Sequence, residues 1–109
     1  MAMLEILQYQ TALGRQPLAE WLAKLGDAMA RARIAARLDR LRAGLRGDWK
    51  SVGGGVCELR VDYGPGYRIY YVEDCSGSIL LLCGGTKQTQ AKDIENAHAY
   101  WKDFRTRGR

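Results

Sequence analysis

The chain of 109 residues has no apolar run approaching about 18 residues, which excludes a helix that crosses a membrane. Its N-terminus, MAMLEILQYQ, has neither a basic leading stretch nor a long apolar segment and does not read as a secretory signal. Cysteine is scarce. Cys57, Cys75 and Cys83 are an odd number without a CxxC pair, which argues against a metal site and fits a reduced, cytoplasmic setting. Cys57 and Cys83 lie in apolar strand patterns and read as buried filler. His98 is the only histidine, so chemistry needing two imidazoles is not available; beside Trp101 on the last helical stretch it reads as structural. No serine has a GxSxG context. Gly53-Gly54-Gly55 is too short for a GxxxxGK[ST] loop, and Asp and Glu show no metal-ligand spacing. Neither a repeat nor a linker interrupts the chain, so residues 1–109 read as one domain.

Hydrophobic residues make up 47% of the chain, enough for a packed core and too many for disorder. The net charge of +5 and pI near 9.3 suit an anionic partner, either nucleic acid or an acidic protein. Leu4-Glu5-Ile6-Leu7 reads as a short strand and 11–16 as a polar loop. Pro17 opens a helix, where its missing N–H costs nothing, and Leu18, Trp21, Leu22 and Leu25 form its apolar stripe. Gly26 ends that helix and Asp27 caps a second, predicted over 28–43. Ile34, Leu38 and Leu41 face inward there, and Leu45 extends the stripe. Arg33, Arg37 and Arg40 recur on another face, with Arg31, Arg42 and Arg46 adding charge and only Asp39 opposing it within the helix. That face is either a basic binding surface or a solvated one. Gly44 and Gly47 close the helix.

Residues 48–52 read as a strand or a loop, and the three glycines after them as a bend or bulge. Strands are predicted over 56–61, 67–72 and 79–83. Asp62-Tyr63-Gly64-Pro65-Gly66 supplies the first turn, with glycine where positive φ is needed, and 73–78 the second. Alternation puts Cys57, Leu59 and Val61 on one face, opposite Glu58 and Arg60; Tyr67, Ile69 and Tyr71 likewise oppose Arg68 and Tyr70. The last strand is apolar throughout and therefore central. Gly84-Gly85-Thr86-Lys87 leaves the sheet, and Thr89 caps a helix with Ile94, Ala97, Trp101 and Phe104 inward. The basic tail 105–109 frays. The expected fold is α+β, of order β-α-α-β-β-β-α: a small antiparallel sheet on a helical hairpin, closed by a C-terminal helix. With helices on the apolar face, the charged groups form a basic concavity on the open face, or simply a solvated sheet surface.

The runs GDWKSVGGGVCELRVDYGPGYRIYY and LLLCGGTKQTQAKDI, with WLAKL and ARIAARLDRL before them, resemble the RelE/ParE toxin superfamily. The resemblance is closest to its HigB-like addiction-module killer branch, related to phage Gp49-like proteins, and covers nearly the whole chain. It implies a RelE-like fold and the toxin of a type II toxin–antitoxin module, without cofactor, metal or membrane. The implied partner is a helix-turn-helix, HigA-like antitoxin, joined in a toxin–antitoxin hetero-oligomer. Many members cleave mRNA in the ribosomal A site and so inhibit translation, whereas the ParE branch inhibits DNA gyrase. An inactive remnant that only binds its antitoxin is a third alternative.

Carried over by position, Arg68 matches the arginine that contacts the scissile phosphate in RelE-type nucleases. Arg60 matches the arginine of the preceding LR element, and Lys87 the basic residue after the last strand. Val56 and Glu58 stand where those nucleases carry lysines, with Lys50 a substitute from the preceding segment. Their C-terminal tyrosine has no match; Asp93 stands near its place. Such an endoribonuclease takes the 2′-hydroxyl proton, neutralises the phosphorane and stabilises the departing 5′-oxygen, leaving a 2′,3′-cyclic phosphate. DNA lacks the 2′-hydroxyl and does not react by this route. The planar fork of arginine suits the second task, given to Arg68 helped by Arg60; Lys87 takes the third. Glu58 is the nearest base, or else an ion-pair partner of Arg60 or Arg68. Tyr70 offers a ring for base stacking, or plain packing. Lys50, Arg37 and Arg40 extend the substrate contacts.

Overall fold

In the computed structural model, which describes residues 3–107, a five-stranded sheet carries helices on both faces. β1 (Ile6–Gln8) leads to α1 (Pro17–Lys24) and α2 (Ala28–Arg42). Then come β2 (Trp49–Ser51), β3 (Val56–Val61), β4 (Tyr67–Glu73) and β5 (Ile79–Thr86), and a 3-10 turn (Lys87–Thr89) opens into α3 (Gln90–Thr106). The sheet order is β1-β5-β4-β3-β2. The α+β class is as expected, but the sheet is mixed rather than antiparallel. β2 to β5 pair antiparallel in sequence, while β1 runs parallel to β5 with Ile6 opposite Ile79. A parallel neighbour needs a long connection, and the two helices between β1 and the rest of the sheet supply it. Residues 49–51 add a short, exposed edge strand.

Local chemistry sets the helix ends. Pro17 begins α1, and the Asp27 carboxylate accepts the backbone N–H groups of Met29 and Ala30 at 3.0 and 3.1 Å. α1 stops at Lys24, just ahead of Gly26. α2 stops at Arg42 because Gly44, at φ +86°, lets the Leu45 N–H reach the Arg40 carbonyl at 2.8 Å. That closure turns Leu45 outward, 62% exposed, so it does not extend the stripe. Thr89 does not cap α3 alone: Thr86 and Thr89 form a reciprocal capping box around the 3-10 turn, with the Thr86 N–H donating to Thr89 Oγ1 at 3.3 Å. Arg105 and Thr106 belong to α3 and Arg107 pairs with Asp103 at 2.9 Å; of the expected frayed tail, Gly108 and Arg109 lie outside the described residues.

The predicted alternation holds, yet the sheet has no open face. Leu59, Ile69 and Tyr71 pack with Leu18 of α1 and with Ile34 and Leu41 of α2. On the other side Val56, Tyr70, Val72, Leu80 and Leu82 pack beneath Ile94, Ala97, Trp101 and Phe104 of α3. The reason is that β3 to β5 carry apolar side chains at both parities. Leaving one of them in water costs roughly 1.5–3 kcal/mol, and α3 brings a matching stripe. His98 ties this layer to the triple glycine: its Nε2–H donates to the carbonyls of Val52 and Gly53 at 3.0 and 3.1 Å. The bend it holds has φ of +90°, +62° and +89° at Gly53, Gly54 and Gly55, which only glycine adopts readily.

β5 continues through Gly84 and Gly85 to Thr86 instead of leaving the sheet. The two glycines face opposite layers. A Cβ on Gly84 would come within 2.7 Å of Trp21 in α1, and one on Gly85 would overlap the Asp93 carboxylate of α3. Gly84→Ala should therefore push α1 off the sheet, lowering stability by about 1–3 kcal/mol and the melting temperature by roughly 5–15 °C. A thermal melt checks this; an unchanged midpoint would mean that Trp21 repacks freely.

Candidate functional site

Register builds the site. Arg60 and Arg68 stand directly opposite each other on β3 and β4, and Arg68 faces Gly85 of β5. The Arg60 N–H donates to the Asp48 carbonyl at 2.9 Å, bringing Asp48 to the same row. The next row holds Lys50, Glu58, Tyr70 and Cys83. The first row opens onto a cleft of about 370 Å³, lined by Asp48, Arg60, Arg68, Lys87 and the hairpin 62–66. The Lys87 N–H donates to the Gly66 carbonyl at 2.9 Å, which pins the turn before α3 against that hairpin. A Cβ on Gly66 would lie 3.5 Å from Arg68 Nη1 and 3.8 Å from Lys87 Cβ, so both side chains flank one glycine. The three residues proposed as catalytic thus line one concavity. It sits at the end of the sheet beside the hairpin, not on an open face.

The arginines differ in setting. Arg60 is half exposed and pairs with Asp48 at 3.1 Å. Arg68 has a side chain only 12% exposed, with Nε 3.6 Å from Oε2 of the fully buried Glu58. That carboxylate oxygen also accepts the Tyr70 hydroxyl at 2.9 Å and Gln90 Nε2 at 2.8 Å. Glu58 Oε1 and Arg68 Nε have no hydrogen-bond partner among the described residues. Burial first, then the Glu58 carboxylate, raises the Tyr70 hydroxyl pKa far above the ordinary tyrosine value and keeps it a neutral donor.

These placements correct several expectations. Glu58 is the internal partner of Arg68 and has no accessible surface from which to take a substrate proton. Tyr70 is likewise fully buried, so no base stacks on its ring. Lys50 sits exposed opposite Glu58 on β2 and does not line the cleft. Arg37 Nη1 donates to the Arg60 carbonyl at 2.6 Å, and Nη2 to the carbonyls of Arg46 and Asp48 at 3.3 and 3.4 Å. It braces the cleft from behind. Arg40 is exposed on α2 in a neighbouring groove. Sequence reasoning missed Asp48 and Gln90. Asp48 follows from alternation once 49–51 is read as a strand, whereas Gln90 reaches Glu58 across 32 positions with no local signal. Among the described residues no group of three or more His, Cys, Asp or Glu side chains is placed to hold a metal ion, and no helix is long and apolar enough to cross a membrane.

The family model described as "Phage derived protein Gp49-like (DUF891)" matches residues 20–102, a span that contains Arg60, Arg68 and Lys87. A protein of Haemophilus influenzae described as uncharacterized is 51% identical over 77 residues, covering 71% of this chain and 78% of that one.

Two stability predictions follow from the geometry. Arg68→Ala strands a buried carboxylate and should cost on the order of 3 kcal/mol, most of it recovered in the double variant Arg68→Ala/Glu58→Gln. Denaturant melts of the three proteins decide it; equal loss in single and double variants would remove Glu58 as the partner that matters. Burial raises the Asp93 pKa above the usual aspartate value, against the lowering effect of the Thr89 hydroxyl bonded to it. A raised folded-state pKa favours folding below the unfolded value, and that contribution is lost as pH rises through the folded one. Asp93→Asn should therefore be more stable than the parent at about pH 7 and no more stable at about pH 3. Melts at the two pH values test the sign.

Proposed function

The chain belongs to the Gp49-like family of phage-derived proteins, and from that membership and its cationic cleft we propose that it is the toxin of a type II toxin–antitoxin module, a metal-free endonuclease acting on mRNA in the ribosomal A site. The observation that carries this reading is the placement of Arg60 against Arg68 across β3 and β4, with Lys87 on the same cleft. In the proposed reaction the 2′-oxygen loses its proton and bonds to the adjacent phosphorus. The bond from phosphorus to the 5′-oxygen breaks, and that oxygen takes up a proton. Arg68 and Arg60 neutralise the phosphorane with their planar forks, and Lys87 stabilises the departing oxygen. Asp48 and Asp62 are the carboxylates lining the cleft and, with Glu58 buried, the ones exposed to receive the first proton. The partner is a HigA-like helix-turn-helix antitoxin bound in a hetero-oligomer, with acidic groups complementing the basic surface.

One observation favours a second reading, a ParE-like gyrase inhibitor or a remnant that only binds its antitoxin. Val56 and Glu58, which replace the lysines of RelE-type nucleases, are both fully buried and leave no lysine on that wall.

Induced expression should arrest bacterial growth, and co-expression of the antitoxin should relieve it. Mapping of mRNA 5′ ends should reveal new 5′-hydroxyl termini. Arg68→Lys retains a charge beside Glu58 but loses the fork, and should slow cleavage on programmed ribosomes by about a hundredfold while melting near the parent temperature. Intact mRNA together with inhibited gyrase would assign the ParE-like activity instead.

A further inference from the structure

We propose that the groove on α2 beside the cleft is a second subsite for the same single-stranded RNA, so that one strand runs from Arg68 and Lys87 across the Val61–Asp62 ridge to Arg33 and Arg40. This rests on the reading of the cleft as an RNA site and extends it to a neighbouring stretch of the phosphodiester backbone. The groove, about 270 Å³, is lined by Arg33, Ala36, Arg37, Arg40, Val61 and Asp62. Val61 and Asp62 line the cleft as well, so a single ridge separates two concavities that both carry mainly positive charge.

Within the groove the arginines have different duties. Arg37 is occupied by three backbone carbonyls. Arg33 and Arg40 are exposed, and neither has a carboxylate within ion-pair distance among the described residues. The Arg33 guanidinium lies 4.8 Å from the centre of the Tyr63 ring, which holds it against the hairpin that forms the cleft. Arg33 and Arg40 are seven residues apart on one helix, two turns along the same face, and Ala36 between them keeps the floor low. Among the described residues Asp62, on the ridge, is the only acidic one that lines the groove. Two uncompensated arginine forks beside a cleft of about 370 Å³ suit an extended polyanion. An acidic protein segment would match the charge of the groove alone, but the shared ridge favours a ligand that continues into the cleft.

The test compares a dinucleotide, which fills only the cleft, with a single-stranded RNA of about ten nucleotides, which spans both concavities. Binding is followed across a salt series by fluorescence anisotropy for the longer RNA and by chemical-shift changes for the dinucleotide. Arg33→Ala/Arg40→Ala should weaken the longer RNA roughly tenfold at low salt and reduce its log–log salt slope by about 1.4, with the loss confined to the longer probe. Arg33→Lys/Arg40→Lys should keep the slope, and melts of both variants establish that they are folded. An unchanged slope, or an equal loss for both probes, overturns the subsite. So does a variant that loses antitoxin binding alone, since the groove would then be a protein interface. The two readings fail separately. RNA cleavage with an unchanged slope removes only the second subsite, whereas a reduced slope in a protein that cuts no mRNA removes the nuclease and leaves the RNA track.

Discussion

The buried pairing of Glu58 with Arg68 is the interaction on which the site depends. Moving a carboxylate and a guanidinium out of water costs several kcal/mol per ion, and here the Glu58 side chain has no accessible surface at all. The opposite charge at 3.6 Å and hydrogen bonds from Tyr70 and Gln90 offset that cost. Glu58 lies on β3 and its partners on β4 and in the first turn of α3, so the pair forms only when all three are assembled. Arg68 is then held from inside the protein with one end at the cleft wall, the preorganised arrangement that charge stabilisation requires.

Glycine makes the assembly close enough. The adjacent pair Gly84-Gly85 has neither Cβ, and α1 and α3 approach β5 from opposite sides through the space that leaves. Gly66, at φ +81°, lies beside the side chains of both Arg68 and Lys87, and its carbonyl receives the Lys87 N–H. A lysine distant in sequence from the hairpin is thereby brought onto its cleft. Arg37 does the complementary task from behind, binding the carbonyls of Arg46, Asp48 and Arg60 so that β3 and the segment before β2 keep their spacing.

The positive charge of the chain is therefore not one undifferentiated surface. Arg37 is structural and Arg68 is an internal ion with one exposed end. Arg60 is moderated by Asp48, and Arg33, Arg40 and Lys87 are exposed with no carboxylate at ion-pair distance among the described residues. A polyanion binding along such a surface meets few charges that must first be released from strong partners. Those that are partnered are held in place by the fold.

Much of the fold was legible in the chain because its signals are local. Pro17 and Asp27 mark helix starts, Gly64 and Gly66 a tight turn, and strict alternation in VCELRV and YRIYYV assigns each side chain to its side of the sheet. The relation to Gp49-like phage proteins was legible in the residue order, though the family match does not single out the HigB-like branch, and the grouping of Arg60, Arg68 and Lys87 was expected from that resemblance. What alternation cannot state is what covers a face. The second side of the sheet looked open because Glu58, Arg60 and Arg68 are charged; α3 covers it because Val72, Leu80 and Leu82 lie there too, and apolar area outweighs a carboxylate that finds its partners. The parallel pairing of β1 with β5, the reach of Gln90 to Glu58 and the conversion of Glu58 and Tyr70 from surface groups to buried supports all depend on contacts between distant segments. Their energies exist only once the layers have packed, and for that reason tertiary structure alone decided them.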